Sequence, residues 1–469
     1  MILIHNTASG KKEELETVES GHVRMYVCGV TVYDDSHIGH ARSYVSFDVM
    51  RRWLMHRGYR VTYVVNYTDV DDRIIDRSNQ TDEPWEVIAR RYIASYDEDM
   101  DRLNNLRPDI TPKATEEIPD MIEAVKTIVD KGLAYEVDGD VYFDIEKGKQ
   151  WFGTLKHQSI DDMRSGARVE VDERKHNPHD FALWKSSKPG EPSWESPWGK
   201  GRPGWHIECS TMSSKYLGIP IDIHGGGMDL IFPHHESENM QTWAIEGKAL
   251  AKYWIHNGWL MIDEEKMSKS LDNFFTIKEI LDRFDPMVLR FFLVHTHYRS
   301  PIDFSDANLE EARQAYERLA TFRLALERYT EFAEEEEVEG LEEQVEANRL
   351  IFGRSMDDDF NTRLAVTQIF ELVRIGNQVM MDHRLSKRLH RILEDTFDEL
   401  TGVLGLEFDL VGGEGASLVA GLVEYLIELR HEARDAKDFE KADGIRAKLK
   451  DMGVVLEDGA EGTTWRVER

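Results

Sequence analysis

Cysteine is almost missing from this chain: two residues, Cys28 and Cys209, among 469. So few thiols exclude a disulfide-framed secreted fold, and a reducing compartment would leave both for metal binding or inert burial. Long apolar runs are missing too. No stretch approaches the ~18–20 residues that cross a bilayer, and Met1 to Gly21 lacks the apolar centre of a signal peptide. A cytoplasmic protein with no membrane partner is expected. Internal repeats are absent, and low complexity is confined to Glu334–Glu337. Hydrophobic residues still make up 41% of the chain, enough for a substantial core. The length suggests roughly three domains at ~150 residues each.

What is present begins with alternation of element types. Val23–Val30, Ala41–Arg57 and Arg60–Val65 read as strand, helix and strand, with Asn66-Tyr67-Thr68-Asp69 closing the second strand. A βαβ unit of this kind implies an α/β fold with a parallel sheet and ligands at the carboxyl ends of its strands. Ile219–His224 and Tyr253–His256 resume the sheet. Residues 84–135 carry helical spacing, and Ala134–Val137 and Val141–Asp144 flank Asp138-Gly139-Asp140, a hairpin signal. The Gly-, Pro-, Ser-, Lys- and Trp-rich stretch 146–203 reads as an irregular insertion. Ala307 to about Gly405 is mostly helical, with a loop at Met356–Asn361. Val411–Gly415 reads as a linker. Helices Leu418–Arg434 and Phe439–Leu449 follow, with Gly453 as a C-cap. Val454–Leu456 and Thr463–Val467 close the chain as a hairpin.

Two distant strings carry the chemistry. His37-Ile38-Gly39-His40 opens a helix, where backbone N–H groups and the dipole favour an anion. Spacing of three puts both imidazoles on one face, and Gly39 leaves room for a flat ring. Lys266-Met267-Ser268-Lys269-Ser270 lies in a polar segment without apolar period and reads as a loop. Its two ammonium groups suit the charge that develops when a phosphate bond breaks. Singly, such histidines and lysines are ordinary surface residues; together they read as ATP chemistry. Gly225-Gly226-Gly227 with Asp229 would let backbone approach a ribose. Cys28, Cys209, His234 and Glu238 are candidate Zn²⁺ donors, since sulfur and imidazole suit that ion. His234 and Glu238 share a face if a helix starts after Pro233. The spacing is scattered, so by itself it leaves metal binding and plain burial both open.

These strings, with Met25-Tyr26-Val27-Cys28-Gly29, Gly204-Trp205-His206-Ile207-Glu208-Cys209, Asp222–Gly227, Phe232-Pro233-His234-His235-Glu236 and Gly462-Thr463-Thr464-Trp465, resemble the cysteinyl-tRNA synthetases of class I. The resemblance spans the twenties to the C-terminus. It implies a Rossmann-type catalytic domain over 1–300 with an insertion at about 76–202. After it come a helical bundle over 301–410 for stem and anticodon contact and a small mixed α/β domain over 417–469 for anticodon recognition. It further implies that cysteine is activated by ATP to cysteinyl adenylate and passed to the terminal ribose of cysteine tRNA. His37, His40, Lys266 and Lys269 would be catalytic. ATP would lie against His37, Gly39, His40, Gly226, Gly227, Asp229 and Lys269, accompanied by Mg²⁺. One Zn²⁺ per chain would sit on Cys28, Cys209, His234 and Glu238 and select the substrate thiolate. L-cysteine would meet Cys28, Thr68, Trp205, His206 and His224.

Arg446, Lys448, Lys450, Trp465 and Arg466 offer cationic and stacking groups for unpaired bases. A monomer is expected. Ser237 stands where the family usually has Asn, but it lies between ligands. Two rivals are a ligase joining cysteine to an amino sugar, which needs no anticodon module, and a non-catalytic RNA-binding relative.

One property runs against the resemblance. The chain has 58 basic and 89 acidic residues, a net charge of −31, whereas phosphates attract basic faces. Molar salt would remove the conflict, since the Debye length there is ~3 Å; local basic patches on an ordinary acidic protein would do so as well. The first reading predicts an activity maximum above about 1 M KCl, and a salt titration with an optimum near about 0.1 M selects the second.

Overall fold

A computed structural model describes residues 1–157, 174–262, 265–266, 275–334, 340–408, 414–436, 438–452, 454–459 and 462–467. They form two units, Met1–Glu407 and Phe408–Arg469.

The first unit is organised by a four-stranded parallel sheet. Its strands are β1 (His22–Thr31), β2 (Arg60–Thr68), β3 (Ile221–Gly227) and β4 (Ala251–Asn257), in the order β4-β3-β1-β2. Interior strands covered on both faces read as nearly continuous apolar runs, and β1, with Val23, Met25, Tyr26, Val27 and Val30 all buried, is of that kind. The helix α1 (Ile38–His56) crosses over to β2. Both strands run past the lengths read from sequence, and β2 reaches Thr68.

One irregularity in β1 matters for function. Val27 pairs with Val65 but Val30 pairs with Tyr67, so β1 carries one extra residue, a bulge at Cys28–Gly29. Bulges re-aim side chains at strand ends. Gly29 N–H donates to Asn66 Oδ1 at 2.8 Å, and a Cβ on Gly29 would fall 1.5 Å from the Asn66 carbonyl oxygen. Only glycine fits there.

The insertion corrects an expectation. Within 146–203, Phe181–Ser186 and Gly201–Pro203 are strands, and they extend the Ala134–Val137/Asp140–Phe143 hairpin into a four-stranded antiparallel sheet. Their partners are remote in sequence, and the outermost strand ends in Pro203, tolerated at an edge because no ladder N–H is needed. Composition hid both. Four further helices used below are α2 (Trp85–Arg102) and, after the insertion, α3 (Trp205–Leu217), α4 (Glu236–Glu246) and α5 (Ile277–Leu281).

Helices Asp306–Arg328, Leu341–Asp357, Thr362–Met381 and Lys387–Val403 complete this unit. Their end is stitched to α1 and to the end of α2 by Arg290, which is fully buried. Its guanidinium donates to the carbonyls of Leu404 and Leu103, each at 2.7 Å, and pairs with Asp48 of α1. Gly405 lies against it with φ +66°, and an added Cβ would sit 2.2 Å from Arg290 Nη2. Gly405→Ala therefore meets both a left-handed backbone and a clash. It is expected to cost about 3 kcal/mol, read as a lower midpoint in urea unfolding; an unchanged midpoint would contradict this packing.

In the second unit, helices Glu414–Asp435 and Phe439–Asp451 and the antiparallel hairpin Val454–Gly459/Gly462–Val467 share a small core of Val423, Ile427, Leu449, Val454 and Leu456. The first helix begins at Glu414, so Glu414 and Gly415, read as linker, are helical. The C-cap of the second falls at Met452; Gly453 lies outside the described residues.

Candidate active site

A cavity of about 400 Å³ opens at the carboxyl ends of the parallel strands, lined among others by Cys28, Tyr33, His37, His40, Trp205 and Asp229. Gly39 and Gly227 also reach it. This is where an open α/β sheet places its ligands.

On one wall stands the N-terminus of α1. His37 is the N-cap, and its Nδ1 accepts from His40 N–H at 3.2 Å, while His40 Nδ1 accepts from His37 N–H at 3.3 Å. The rings stack with centroids 3.7 Å apart. Because each Nδ1 is an acceptor, each neutral ring carries its proton on Nε2. The turn is braced from outside: Ile38 N–H donates to Phe275 O at 3.1 Å and Ile277 N–H to Ser36 O at 2.8 Å.

The floor behind Cys28 is a buried donor cluster. Cys28, Cys209, His234 and Glu238 offer four ligand atoms within 4.8 Å of one another. The bulge in β1 aims Cys28, α3 carries Cys209, and α4 presents Glu238 one turn after His234, with His234 Nε2 3.0 Å from Glu238 Oε1. Two thiols and a carboxylate meet here, and the ion-pair partners of Glu238 among the described residues are only the imidazoles of His224 and His234. Burial pushes the Cys28 thiol well up, with Cys209 and Glu238 adding to it. Burial also pulls His234 down, yet the Glu238 carboxylate and the Cys209 sulfur together outweigh that and lift it to about 10. Such a cluster is short of positive charge, and its S₂NO donor set fits a zinc ion.

A second set shares two of these residues: Cys28, His224, His235 and Glu238. His224 Nε2 lies 3.2 Å from Glu238 Oε2 and His235 Nε2 3.3 Å from Cys28 Sγ. His235 Nδ1 is bonded to His256 Nε2 at 2.8 Å, and His256 Nδ1 to Thr7 Oγ1 at 2.7 Å. Burial holds His235 well below the usual histidine range and takes His256 to about 3. These are neutral rings.

Family models match along the chain: the class I (C) tRNA synthetase catalytic domain over residues 14–314, the DALR domain over 351–409, and the cysteinyl-tRNA ligase anticodon binding domain over 420–466. The chain is 50% identical to the cysteine–tRNA ligase of Geobacter sulfurreducens and 47% identical to that of Carboxydothermus hydrogenoformans, covering 99% of each partner and of itself. It belongs to the cysteinyl-tRNA synthetase family. In fold it is similar to the methionyl-tRNA synthetase of Mycobacterium tuberculosis, with a TM-score of 0.59 at 15% identity over 82% of this chain and 89% of that one. The LeuRS of Agrobacterium radiobacter K84 gives 0.60 at 12% identity, over 84% and 85%.

As a cysteinyl-tRNA synthetase family member, the chain puts the residues singled out by sequence at different depths. Trp205 is at the surface of the cavity, 38% exposed, stacked on His234 with centroids 4.1 Å apart. His206 is buried behind it, its Nδ1 bonded to His234 Nδ1 at 2.8 Å, which leaves His234 Nε2 for the cluster. Thr68 is buried and donates to Glu208 at 2.8 Å. His224 stacks on Tyr26 at 5.3 Å. Gly226 makes room for its neighbours: a Cβ there would lie 2.8 Å from Leu230 Cδ1 and 3.0 Å from the His235 ring. The Lys266 backbone pairs with Met261 in a short antiparallel ladder, a strand where a loop was expected; Lys269 lies outside the described residues. Sequence reading missed His235 as a partner of Cys28 and His256 as the ring bonded behind it, because no spacing links them. Their crowding at strand ends was the one available sign.

Proposed function

We propose that this chain charges cysteine tRNA with L-cysteine in two ATP-dependent steps, and that Cys28, Cys209, His234 and Glu238 hold one zinc ion as it does so. The observation that supports this most is the buried donor cluster, which reaches through Cys28 the same cavity as the N-terminus of α1. When bound, the ion supplies a direct bond to the substrate sulfur as thiolate, which a serine hydroxyl forms poorly. His206 then fixes the ring of His234 from behind, and Trp205 walls the cysteine pocket. Thr68 and His224 border it more deeply.

In the first step the cysteine carboxylate attacks the α-phosphate of MgATP and pyrophosphate leaves. The Nε2–H groups of His37 and His40 donate to phosphate oxygens, with Lys266 and Lys269 neutralising the departing pyrophosphate and Gly227 and Asp229 holding the ribose. In the second, the terminal ribose hydroxyl of the tRNA takes the cysteinyl group. No covalent protein intermediate is required; positioning and charge stabilisation carry the rate. The division into a catalytic domain over 1–300, a bundle over 301–410 and an anticodon domain over 417–469 is part of the same reading, as are a monomeric state and a cytoplasmic location.

A charging assay with cysteine tRNA, run beside an amino-sugar acceptor and an RNA-binding assay without ATP, tests it. Transfer to tRNA alone is expected; transfer to the sugar, or binding without transfer, would overturn it. Lys269→Ala is expected to slow ATP–pyrophosphate exchange by ~10²-fold or more while cysteine binding changes little. An unchanged exchange rate removes Lys269 from the mechanism.

A further inference from the structure

The brace behind the His37 turn is itself locked by charge. Asp35, two residues before His37, accepts from Ser95 Oγ of α2 at 2.5 Å and pairs with Lys278 Nζ of α5 at 2.9 Å. Ser95, Asp99 and Arg102 recur at i, i+4 and i+7, so they form one face of α2. Arg102 donates to the carbonyl of Leu281, the last residue of α5, at 3.3 Å. Asp99 is fully buried, and neither carboxylate oxygen has a hydrogen-bond partner. Three elements thus meet on two carboxylates and one ammonium.

We infer that Lys278 is a positioning residue for cysteine activation: its bond to Asp35 and its field on Asp99 clamp Phe275–Leu281 against Ser36–Ile38, and so set the His37 and His40 rings. The inference rests on the reading that these rings contact ATP. Its physical basis is that, among the described residues, the segment holding the turn makes two backbone hydrogen bonds to it, at Ile38 and Ile277. Something must hold that segment in register. Lys278 does so from outside the cavity, which it does not line. Burial lifts Asp99 to about 7, Lys278 and Arg102 drawing it down and Asp35 and Glu98 pushing it up. Removing the ammonium therefore leaves Asp35 and Asp99 to repel each other between the turn and α2, and frees α5 from the turn. The arrangement also assigns Asp99 a purpose. A buried carboxylate without hydrogen bonds is costly, and the Lys278 charge, with that of Arg102, offsets the cost.

The test uses the full-length enzyme in ATP–pyrophosphate exchange. Lys278→Met is expected to lower kcat by ~10- to ~100-fold, the scale of a misplacement of about 1 Å, with the KM for cysteine within about twofold. Lys278→Arg should restore most of the rate. Adding Asp99→Asn to Lys278→Met should recover part of it, because one stranded charge is gone, whereas an incidental surface lysine would show no such suppression. A Lys278→Met enzyme as fast as the parent overturns the clamp, as does a loss that neither Arg nor Asp99→Asn relieves. His40→Asn, assayed in parallel, separates the two ideas: slow His40→Asn with fast Lys278→Met sinks the clamp alone, and both fast sinks the phosphate reading beneath it.

Discussion

Cys209→Ala, or stripping by a strong chelator, is expected to leave an enzyme that no longer prefers cysteine to serine by more than about 10–200-fold. That is the ceiling for discrimination by fit between close isosteres. The two amino acids differ by one atom, and the cavity walls near Cys28 and Trp205 have no means of telling sulfur from oxygen by shape. Nor do the described residues form a second site to hydrolyse mistakes: the antiparallel sheet from Ala134 to Pro203 is short and packs into the core with Trp184 buried. Selection must then depend on a donor set that reads the atom itself. Cys209 is a good position to break, since it is buried, on α3, and does not line the cavity. Exchange measured with cysteine and with serine, before and after stripping, reads the ratio, and metal content by mass spectrometry reads the site. Full preference in a metal-free enzyme would end the proposal. Cys209→Ala retaining one tightly held zinc would instead move the ion to Cys28, His224, His235 and Glu238.

That alternative seat shows how far sequence reached and where it stopped. The βαβ unit was legible because β1 and β2 are buried on both faces, which leaves an unmistakable apolar run. The helix N-terminus was legible because a cap, a glycine and a second histidine sit within four residues. The metal donors were not legible by spacing: Cys28 and Cys209 come from different βα units, and only the bulge at Gly29 and the crossing of α3 bring them together. Resemblance supplied them. His235 and His256 escaped, since a histidine reads the same in sequence whether it faces solvent, a thiol or another ring. The strands at 181–186 and 201–203 escaped because their pairing is long-range and their flanks are rich in turn residues. Asp35 and Lys278 are far apart in sequence, so no local pattern links them.

At the helix N-terminus the two ring nitrogens of His40 have separable duties, and paired substitutions are expected to split them. Nδ1 caps the turn by accepting from His37 N–H, which forces the proton onto Nε2. Asn places an acceptor where Nδ1 stands but ends short of Nε2; Gln reaches the Nε2 position with a donor. His40→Asn should therefore keep the cap, worth about 0.5–2 kcal/mol, and show little change in thermal midpoint. It should lose ~10²- to ~10³-fold in exchange rate, the cost of removing one preorganised donor from developing charge. His40→Gln should be the more active of the two despite the weaker cap. The KM for cysteine should hold in both, since the proposed reading seats the amino acid at the thiol end of the cavity. Equal activity in Asn and Gln variants would mean that His40 serves only to start the helix. The loss would then have to appear in stability, where a melting curve would show it.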